Sequence, residues 1–199
     1  MYIEVSHLVL DLRAVCMRTL QSKCNQSAYS GHSFSLYLSD PLMSRSRKPL
    51  TSDEKKMIDD MMQQAQLTPE VHHLGQLSRT VTRYDKRTSM YDGTGVVYLL
   101  QLFRPDELVN NRIAAYMVLP GANDSVGFHT HGDRNEEELY VVVRGTGVYM
   151  EKDDADSAPR SIDIHPGSVT SVKGDAFHAV RNTTSEPLIV FVITTNAPG

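Results

Sequence analysis

The chain has 199 residues, of which 40% are hydrophobic and 22% charged, and its formal net charge at pH 7 is −4. This length suits one domain with a packed core, with or without an appendage, and argues against two full domains. The acidic balance leaves no broad basic surface, so we expect no nucleic-acid binding. No apolar run approaches the roughly 18 residues that a membrane span needs, so we expect no membrane insertion.

Two features near the start of the sequence bear on its location in the cell. The stretch "MYIEVSHLVLDLRAVC" lacks a basic segment followed by a small-residue cleavage site, so it does not resemble a secretory signal. Cys16 and Cys24 are best explained as free thiols, which fit a reducing compartment. We therefore expect a cytoplasmic protein.

Residues 1–90 have mainly helical periodicity. Apolar side chains recur at helical spacing from Val5 to Val15 and again from Met57 to Met62. Thr51 stands three residues before Glu54, and this spacing predicts a capping box at the start of the second helix.

Two further elements are predicted within the same region. The segment "FSLYLSDP", 34–41, alternates like a short strand and ends at a proline. Thr68 followed by Pro69 predicts the start of a third helix. We expect 1–90 to form a helical region that packs on the domain after it, with a lid over a functional site as the alternative.

The periodicity changes near residue 90. Short apolar or alternating runs now recur between turn signals, which is typical of an all-β barrel or sandwich. The predicted strands are Val96–Leu102, Ile113–Leu119, Val126–His131, Leu139–Val143, Val148–Glu151, Ser168–Val172, Phe177–Arg181 and Leu188–Thr194. We expect a β-barrel domain over 91–199.

The segment "GFHTHGDRNEEELYVVVRG" places metal-ligating side chains at the ends of two of these strands. His129 and His131 are one residue apart, so on a strand their imidazoles share a face. After a polar turn the next strand returns antiparallel and brings Glu138 or Glu136 beside them. His178, on a later strand, is a candidate fourth ligand. Three imidazoles and a carboxylate suit a divalent first-row metal.

These residues resemble the two motifs of the cupin superfamily. The first motif combines His-x-His, a later Glu and a closing Gly, which correspond here to His129, His131, Glu138 and Gly145. The second combines Gly, His and Asn, which correspond to Gly167, His178 and Asn182. The resemblance spans roughly Val96 to Thr194. It implies a mainly β, cupin-type double-stranded β-helix, or jelly-roll barrel, preceded by the α-helical region, and by analogy a homodimer.

The first motif departs from the family pattern at two points. The spacing between His131 and Glu138 is about two residues longer than in the motif, and loop length is the more tolerant variable. We therefore prefer Glu138 over Glu136 as the ligand. The leading glycine of the motif falls on Asn123, with Gly121 nearby.

The second motif departs in the turn before its histidine. Lys173 stands in place of proline and Asp175 in place of the second glycine, although Gly174 is adjacent. We expect this turn to be built differently while His178 keeps its place.

The other polar side chains of interest are not predicted to be metal ligands. Tyr140 shares the face of Glu138 and is a candidate proton donor or substrate contact, although packing alone also accounts for a tyrosine there. Asn182 is predicted to fix a turn through its amide. The remaining histidines lack partners at chelating spacing: His7, His72, His73 and His165.

The sequence therefore favours a metal-dependent cupin enzyme that acts on a small, oxygen-rich substrate as a dioxygenase, decarboxylase, isomerase or lyase. Its metal would be held by His129, His131, Glu138 and His178, and Glu138 and Tyr140 are the catalytic candidates. Hard oxygen and borderline nitrogen ligands favour manganese or iron, with nickel, cobalt or zinc as alternatives. Because imidazoles must be neutral to bind, we expect metal loss below about pH 6. The alternative is a non-catalytic cupin that binds or senses a small molecule.

Overall fold

A computed structural model describes residues 48–72, 78–104, 107, 111–134 and 136–196 of the protein. All of them belong to one structural unit, Asp40–Gly199. The helix predicted over Val5–Val15, the strand predicted over 34–41 and both cysteines lie outside the described residues. Within those residues, no helix combines the length and the apolar run that crossing a bilayer requires.

The described residues contain a helix α1 and ten strands. α1 spans Ser52–Gln64. The strands are β1 Arg83–Thr88, β2 Val96–Gln101, β3 Asn111–Leu119, β4 Ser125–Thr130, β5 Glu136–Arg144, β6 Gly147–Lys152, β7 Arg160–Ile164, β8 Val169–Lys173, β9 Phe177–Asn182 and β10 Leu188–Asn196.

The strands form two antiparallel sheets. The six-stranded sheet has the order β1-β2-β3-β10-β5-β8, and the four-stranded sheet has the order β4-β9-β6-β7. Along β5 every second side chain from Glu136 to Val142 is buried, because alternate residues of a strand face the space between the sheets. The predicted mainly β, jelly-roll-like fold is confirmed.

The core between the sheets is apolar away from the predicted metal ligands. Its largest fully buried members include Met117, Leu119, Ile164 and Leu188, which come from both sheets. This packing closes one part of the sandwich and leaves polar side chains concentrated where β4, β5 and β9 meet. The core thus fixes the position of the candidate site.

All eight strands predicted after residue 90 are present, and two strands of the described residues were missed. β1, "RYDKRT", is dominated by charged side chains, and four of the five residues of β7, "RSIDI", are exposed. Both are edge strands of their sheets. Edge strands commonly carry charges that discourage pairing with other chains, and such charges hide the apolar alternation. β1 precedes residue 90, so the six-stranded sheet begins before the domain boundary predicted at residue 90. That boundary stays a prediction.

Helix α1 covers the outer face of the six-stranded sheet. Its predicted capping box is confirmed: Glu54 N donates to Thr51 Oγ1 at 3.2 Å, and Thr51 N donates to Glu54 Oε2 at 2.9 Å. Ile58 and Met62 are buried in a cluster with side chains of β2, β3 and β10. This cluster is separate from the core between the sheets, so α1 does not act as a lid over that interior.

The third helix predicted at Thr68 is wrong. Residues 68–72 are not helical, and Val71 forms an isolated antiparallel bridge with Arg79. The two backbone hydrogen bonds of this bridge measure 2.7 and 3.1 Å. A tertiary pairing therefore overrides the local helix-start signal of Pro69.

Two turns explain motif positions noted in the sequence. Gly145 has φ +81°, and a Cβ there would lie 2.3 Å from the Pro187 carbonyl oxygen, so this position requires glycine. Asn123 has φ +70° at the place where the family motif carries glycine. Asparagine is among the residues that best tolerate this left-handed conformation, which explains the departure.

Asn182 is fully buried and fixes the turn between β9 and β10, as the sequence predicted. Its side-chain amide donates to the carbonyl oxygens of Leu119, at 3.0 Å, and Glu186, at 2.8 Å. Its Oδ1 accepts a hydrogen bond from Thr184 N at 2.9 Å. One side chain therefore ties the β9–β10 turn to the end of β3.

Replacing Asn182 with Ala should lower the free energy of unfolding by about 2–4 kcal/mol, because buried backbone groups lose their partners. Urea unfolding followed by circular dichroism measures the loss. The adjacent Thr183→Ala is the control, because Thr183 is exposed and its removal should cost little. Equal stabilities for the two variants would show that Asn182 has no such role.

The capping residue Glu54 predicts a pH-dependent contribution to stability. A hydrogen bond from Lys86, followed by the one from Thr51, lowers the pKa of Glu54 from 4.5 to about 2. A carboxylate with a lowered folded-state pKa stabilises the fold above pH 4.5, and this contribution disappears as the pH falls towards 2. The difference in melting temperature between the wild type and Glu54→Gln should therefore shrink between pH 5 and about 2. In a Lys86→Met background the same substitution should show a weaker pH dependence, whereas a constant difference would contradict the ion pair.

Candidate metal centre

Four predicted ligands converge between the two sheets. His129 lies on β4, His131 follows β4 directly, Glu138 lies on β5 and His178 on β9. Each offers one ligand atom, and these atoms all lie within 4.8 Å of one another. Strand register explains the convergence, since His129 pairs directly with His178 across β4 and β9.

The irregular pairing of β4 helps to aim its histidines. The register of β4 with β9 shifts between Val126 and His129, which marks a β-bulge or similar irregularity. Such irregularities commonly redirect side chains next to functional sites. His129 and His131 consequently both face the interior, while Thr130 donates from its hydroxyl to the Gly174 carbonyl at 3.2 Å.

The imidazole Nε2 atoms meet around one point. His178 Nε2 lies 3.0 Å from His129 Nε2 and 3.2 Å from His131 Nε2. Glu138 Oε2 lies 3.1 Å from His178 Nε2, 3.2 Å from His131 Nε2 and 3.7 Å from His129 Nε2. The four residues are between 1% and 7% exposed, so water competes little for these atoms.

The opposite nitrogen of each ring is held by an acceptor. The Nδ1 partners are the Gly127 carbonyl for His129 at 3.0 Å, the Glu136 carboxylate for His131 at 3.1 Å and the Tyr149 hydroxyl for His178 at 3.4 Å. When Nδ1 carries the proton and donates to these groups, the Nε2 lone pair of each ring faces the centre. This arrangement is the usual way in which a protein orients metal-binding histidines.

The donor set fits a divalent cation. Glu138 Oε2 is buried and faces the three imidazoles, while Thr194 Oγ1 donates to the other oxygen, Oε1, at 3.3 Å. Three nitrogen lone pairs and a carboxylate oxygen at this separation repel one another unless a cation or protons lie between them. The four residues could therefore hold a metal ion, as the sequence predicted.

Burial and the mutual contacts set the charge states of these groups. Burial is the main cause that lowers the pKa of His178 from 6.5 to about 4, so this ring is neutral at pH 7. Burial alone would raise the pKa of Glu138, but its three imidazole partners outweigh it and hold that pKa well below 4.5. Burial also opposes protonation of His131, yet contacts with Glu138 and Glu136 raise its pKa above 6.5. A raised pKa means that protons compete with a metal for His131.

Glu136, the alternative ligand, lies behind His131 and outside the cluster. Its carboxylate accepts hydrogen bonds from the Nδ1 of His131 and from the Nε of Arg134, the latter at 2.8 Å. Glu138 is the carboxylate that faces the three Nε2 atoms. The longer hairpin loop therefore leaves Glu138 in the position that the family motif indicates.

Tyr140 lies beside the cluster on the same face of β5 as Glu138. It is 3% exposed, and the centroid of its ring is 5.2 Å from that of His178. Burial, followed by the charge of Glu138, raises the pKa of Tyr140 well above 10. Its phenol therefore stays protonated at neutral pH.

Two tyrosines that sequence reasoning missed also contact the histidines. Tyr149 receives the Nδ1 hydrogen bond of His178, and its place in the alternation of β6 could have indicated an inward side chain. Tyr91 stacks on the ring of His129 with centroids 4.0 Å apart and planes 5° apart. Tyr91 belongs to a turn, Met90–Asp92, where its φ is +51°, and no sequence signal connects this turn to the site. A Cβ at Gly127 would lie 1.9 Å from the Tyr91 carbonyl oxygen, so glycine is what allows this close approach.

The other histidines take no part in the cluster where they are described. His165 and His72 are exposed. His72 Nδ1 pairs with the Ser78 hydroxyl at 2.7 Å. His7 and His73 lie outside the described residues.

The comparisons with known proteins agree with this geometry. A family model described as "Cupin domain" matches residues 115–194. A solved structure of a predicted oxalate decarboxylase from Thermotoga maritima is 25% identical, with a TM-score of 0.51, over 58% of this chain and 93% of that chain. A cupin protein from Bacteroides fragilis is 19% identical, with a TM-score of 0.41, over 51% of this chain and 78% of that chain. No curated protein matches the chain significantly.

The matched residues coincide with the elements that carry the site. The family model spans β4, β5 and β9, on which the ligands lie, as well as β10, whose Thr194 contacts Glu138. Residues 115–194 therefore match the cupin family model, and the similar structure supports a cupin-superfamily assignment for the C-terminal half of this chain.

Proposed function

We propose that the protein is a metal-dependent enzyme that acts on a small, oxygen-rich molecule between its two sheets. The observation that carries the proposal is the convergence of three imidazole Nε2 atoms on the buried Oε2 of Glu138. A purely structural cluster would gain more from apolar residues of similar volume, because burying a carboxylate is costly. A binding role for a cation offsets that cost.

A divalent ion bound here would act as a Lewis acid on a carboxylate or carbonyl or, if redox-active, would activate oxygen. Oxygen and imidazole ligands favour manganese or iron, with nickel, cobalt or zinc as alternatives. The chain supplies the rest of the chemistry. Glu138 neutralises part of the positive charge, and Tyr140, protonated at neutral pH, can donate a hydrogen bond or a proton to a substrate oxygen.

Among the four reaction classes that the family resemblance implies, decarboxylation of a small carboxylic acid is the first to test. The similar structure from Thermotoga maritima carries the description "predicted oxalate decarboxylase" at 25% identity. That description concerns the other protein, and it supports a carboxylate substrate for this chain by similarity alone. Dioxygenase, isomerase and lyase activities follow as the next candidates. A homodimer and a cytoplasmic location stay predictions from the sequence.

Metal binding should depend on Glu138 and not on its neighbour. Glu138→Gln removes the charged ligand and should weaken Mn²⁺ or Fe²⁺ affinity by at least about 100-fold. Glu137→Gln is the matched control, because Glu137 is the next residue of the same strand and is not part of the cluster. Glu136→Gln, which removes the acceptor for His131 Nδ1, should weaken affinity by about 10- to 100-fold. Isothermal titration calorimetry and elemental analysis measure these changes. If all three variants bound the metal as tightly as the wild type, the assigned centre would be refuted.

Turnover should require both the metal and His131. The metal-loaded protein is incubated with oxalate and with small 2-oxo and 2-hydroxy acids, and CO₂ release, O₂ uptake and product are followed by mass spectrometry. His131→Ala should abolish product formation, whereas His165→Ala, which changes an exposed histidine, should leave it unchanged. Saturable binding of an acid without any product would instead support the sensing alternative.

A further inference from the structure

The segment 89–95, which connects β1 to β2, has an unusual backbone. Ser89, Tyr91 and Asp92 have φ angles of +49°, +51° and +61°. A positive φ is uncommon outside glycine, and for a side chain as bulky as tyrosine it is a genuine outlier. Residues in such conformations cost free energy, persist only where the surrounding structure imposes them, and cluster at functional sites. The segment therefore does more than connect two strands.

Backbone contacts hold the segment against β4. Ser125 N donates to the Thr94 carbonyl oxygen at 2.8 Å, and Thr94 N donates to Ser125 Oγ at 2.7 Å. Farther along β4, the Tyr91 carbonyl oxygen lies so close to Gly127 that a Cβ there would be 1.9 Å from it. The conformation of the segment is thus imposed by contacts with the strand that carries His129.

The side chain of Tyr91 lies on one face of the His129 imidazole. The ring centroids are 4.0 Å apart and the two planes differ by 5°. His131 and His178 meet the same imidazole at interplanar angles of 64° and 42°. The parallel contact is therefore the one with Tyr91, and a rotation of the imidazole out of its plane would break it.

The orientation of this imidazole decides whether His129 takes part in the cluster. Its Nδ1 lies 3.0 Å from the carbonyl oxygen of Gly127, the residue that packs against the Tyr91 backbone. Its Nε2 lies 3.0 Å from His178 Nε2 and 3.7 Å from Glu138 Oε2. Tyr91 thus borders both the ring plane and the Nδ1 acceptor, and a tilt of the ring would move Nε2 away from these atoms.

Packing in the core does not by itself account for a strained tyrosine at this position. Tyr91 is partly buried against the core between the sheets, but Tyr140 and Tyr149 reach that core from regular strands. The backbone at residue 91 favours glycine or asparagine, which tolerate a positive φ. The contact that distinguishes Tyr91 is its parallel stack on a predicted metal ligand.

We propose that Tyr91 is a positioning residue of the candidate metal centre, which fixes the plane of the His129 imidazole before an ion binds. The inference rests on the proposed function, because the task of Tyr91 is defined by that centre. Without the stack, His129 would sample other orientations, and these would have to be given up on metal binding. Tyr91 acts through His129 and is not itself a ligand.

The first measurement uses the metal-free full chain with ¹³C-labelled histidine, and His129→Gln assigns the His129 signals. An aromatic ring shifts the signals of protons above its face upfield, so the His129 ring protons should lie upfield in the wild type and in Tyr91→Phe. Tyr91→Leu keeps an apolar side chain without an aromatic ring and should lose this shift. Tyr116→Leu is the matched control, because Tyr116 packs against the cluster beneath α1 and should leave the His129 signals in place.

The second measurement uses the same variants with metal. Tyr91→Leu should weaken Mn²⁺ affinity in titration calorimetry by about three- to tenfold, which corresponds to the loss of one aromatic pair. It should also change the visible absorption of bound Co²⁺, which reports the geometry of the ligands. Tyr91→Phe and Tyr116→Leu should resemble the wild type in both respects. A residue that only stabilised the fold would lower the midpoint of urea unfolding without changing the affinity or the Co²⁺ spectrum.

Two results would overturn the proposal. The first is the same position of the His129 signals in the wild type and in Tyr91→Leu. The second is a lost upfield shift in Tyr91→Leu with unchanged Mn²⁺ affinity and an unchanged Co²⁺ spectrum. If the wild type bound no divalent metal, the proposed function would fail, whereas the His129 signals of the metal-free protein would show separately whether Tyr91 holds the ring.

Discussion

The direct pairing of His129 with His178 across β4 and β9 is the constraint on which the site depends. It sets two imidazole Nε2 atoms 3.0 Å apart in a region that water barely reaches. In a medium of low dielectric constant, two facing lone pairs and an ionised carboxylate form an unfavourable arrangement unless positive charge lies between them. The fold imposes this arrangement through backbone register, so the cluster is preorganised before any ion arrives. Preorganisation of this kind is what separates a binding site from a chance grouping of polar residues.

The surroundings of the cluster are consistent with that constraint. Each ring is fixed at Nδ1 by a different kind of acceptor: a backbone carbonyl, a carboxylate and a phenol. These partners come from three different elements, so the orientation of the rings is shared among β4, the start of β5 and β6. Farther away, Asn182, on the strand of His178, ties the β9–β10 turn to the end of β3 in the larger sheet.

Much of this arrangement could be predicted from the sequence because it follows from local rules. Alternation on strands placed Glu138 and Tyr140 on one face, and the spacing of Thr51 and Glu54 predicted the capping box that the structure contains. The sequence-based predictions that failed have a common physical cause, which is contact between residues that lie far apart in the sequence. Val71 pairs with Arg79 instead of continuing a helix, and Tyr91 reaches His129 only because a left-handed turn packs against Gly127. Neither contact leaves a periodic signal in the sequence. Charged edge strands such as β1 were missed because protection of an edge conceals the pattern that identifies a strand.

Tyr149 connects the candidate metal centre with Glu151 on β6. Its hydroxyl accepts the Nδ1 hydrogen bond of His178 and donates to Glu151, so a candidate metal ligand and the carboxylate of Glu151 share one phenol. Burial raises the pKa of Tyr149 well above 10, so the phenol keeps its proton and the direction of this chain of hydrogen bonds is fixed at neutral pH. A group that withdrew Glu151 from Tyr149 would leave the phenol without its acceptor and would alter the hydrogen bond that orients His178. Because partners of this kind tune the basicity and orientation of a ligating imidazole, a change at Glu151 would reach the candidate metal centre through a single side chain.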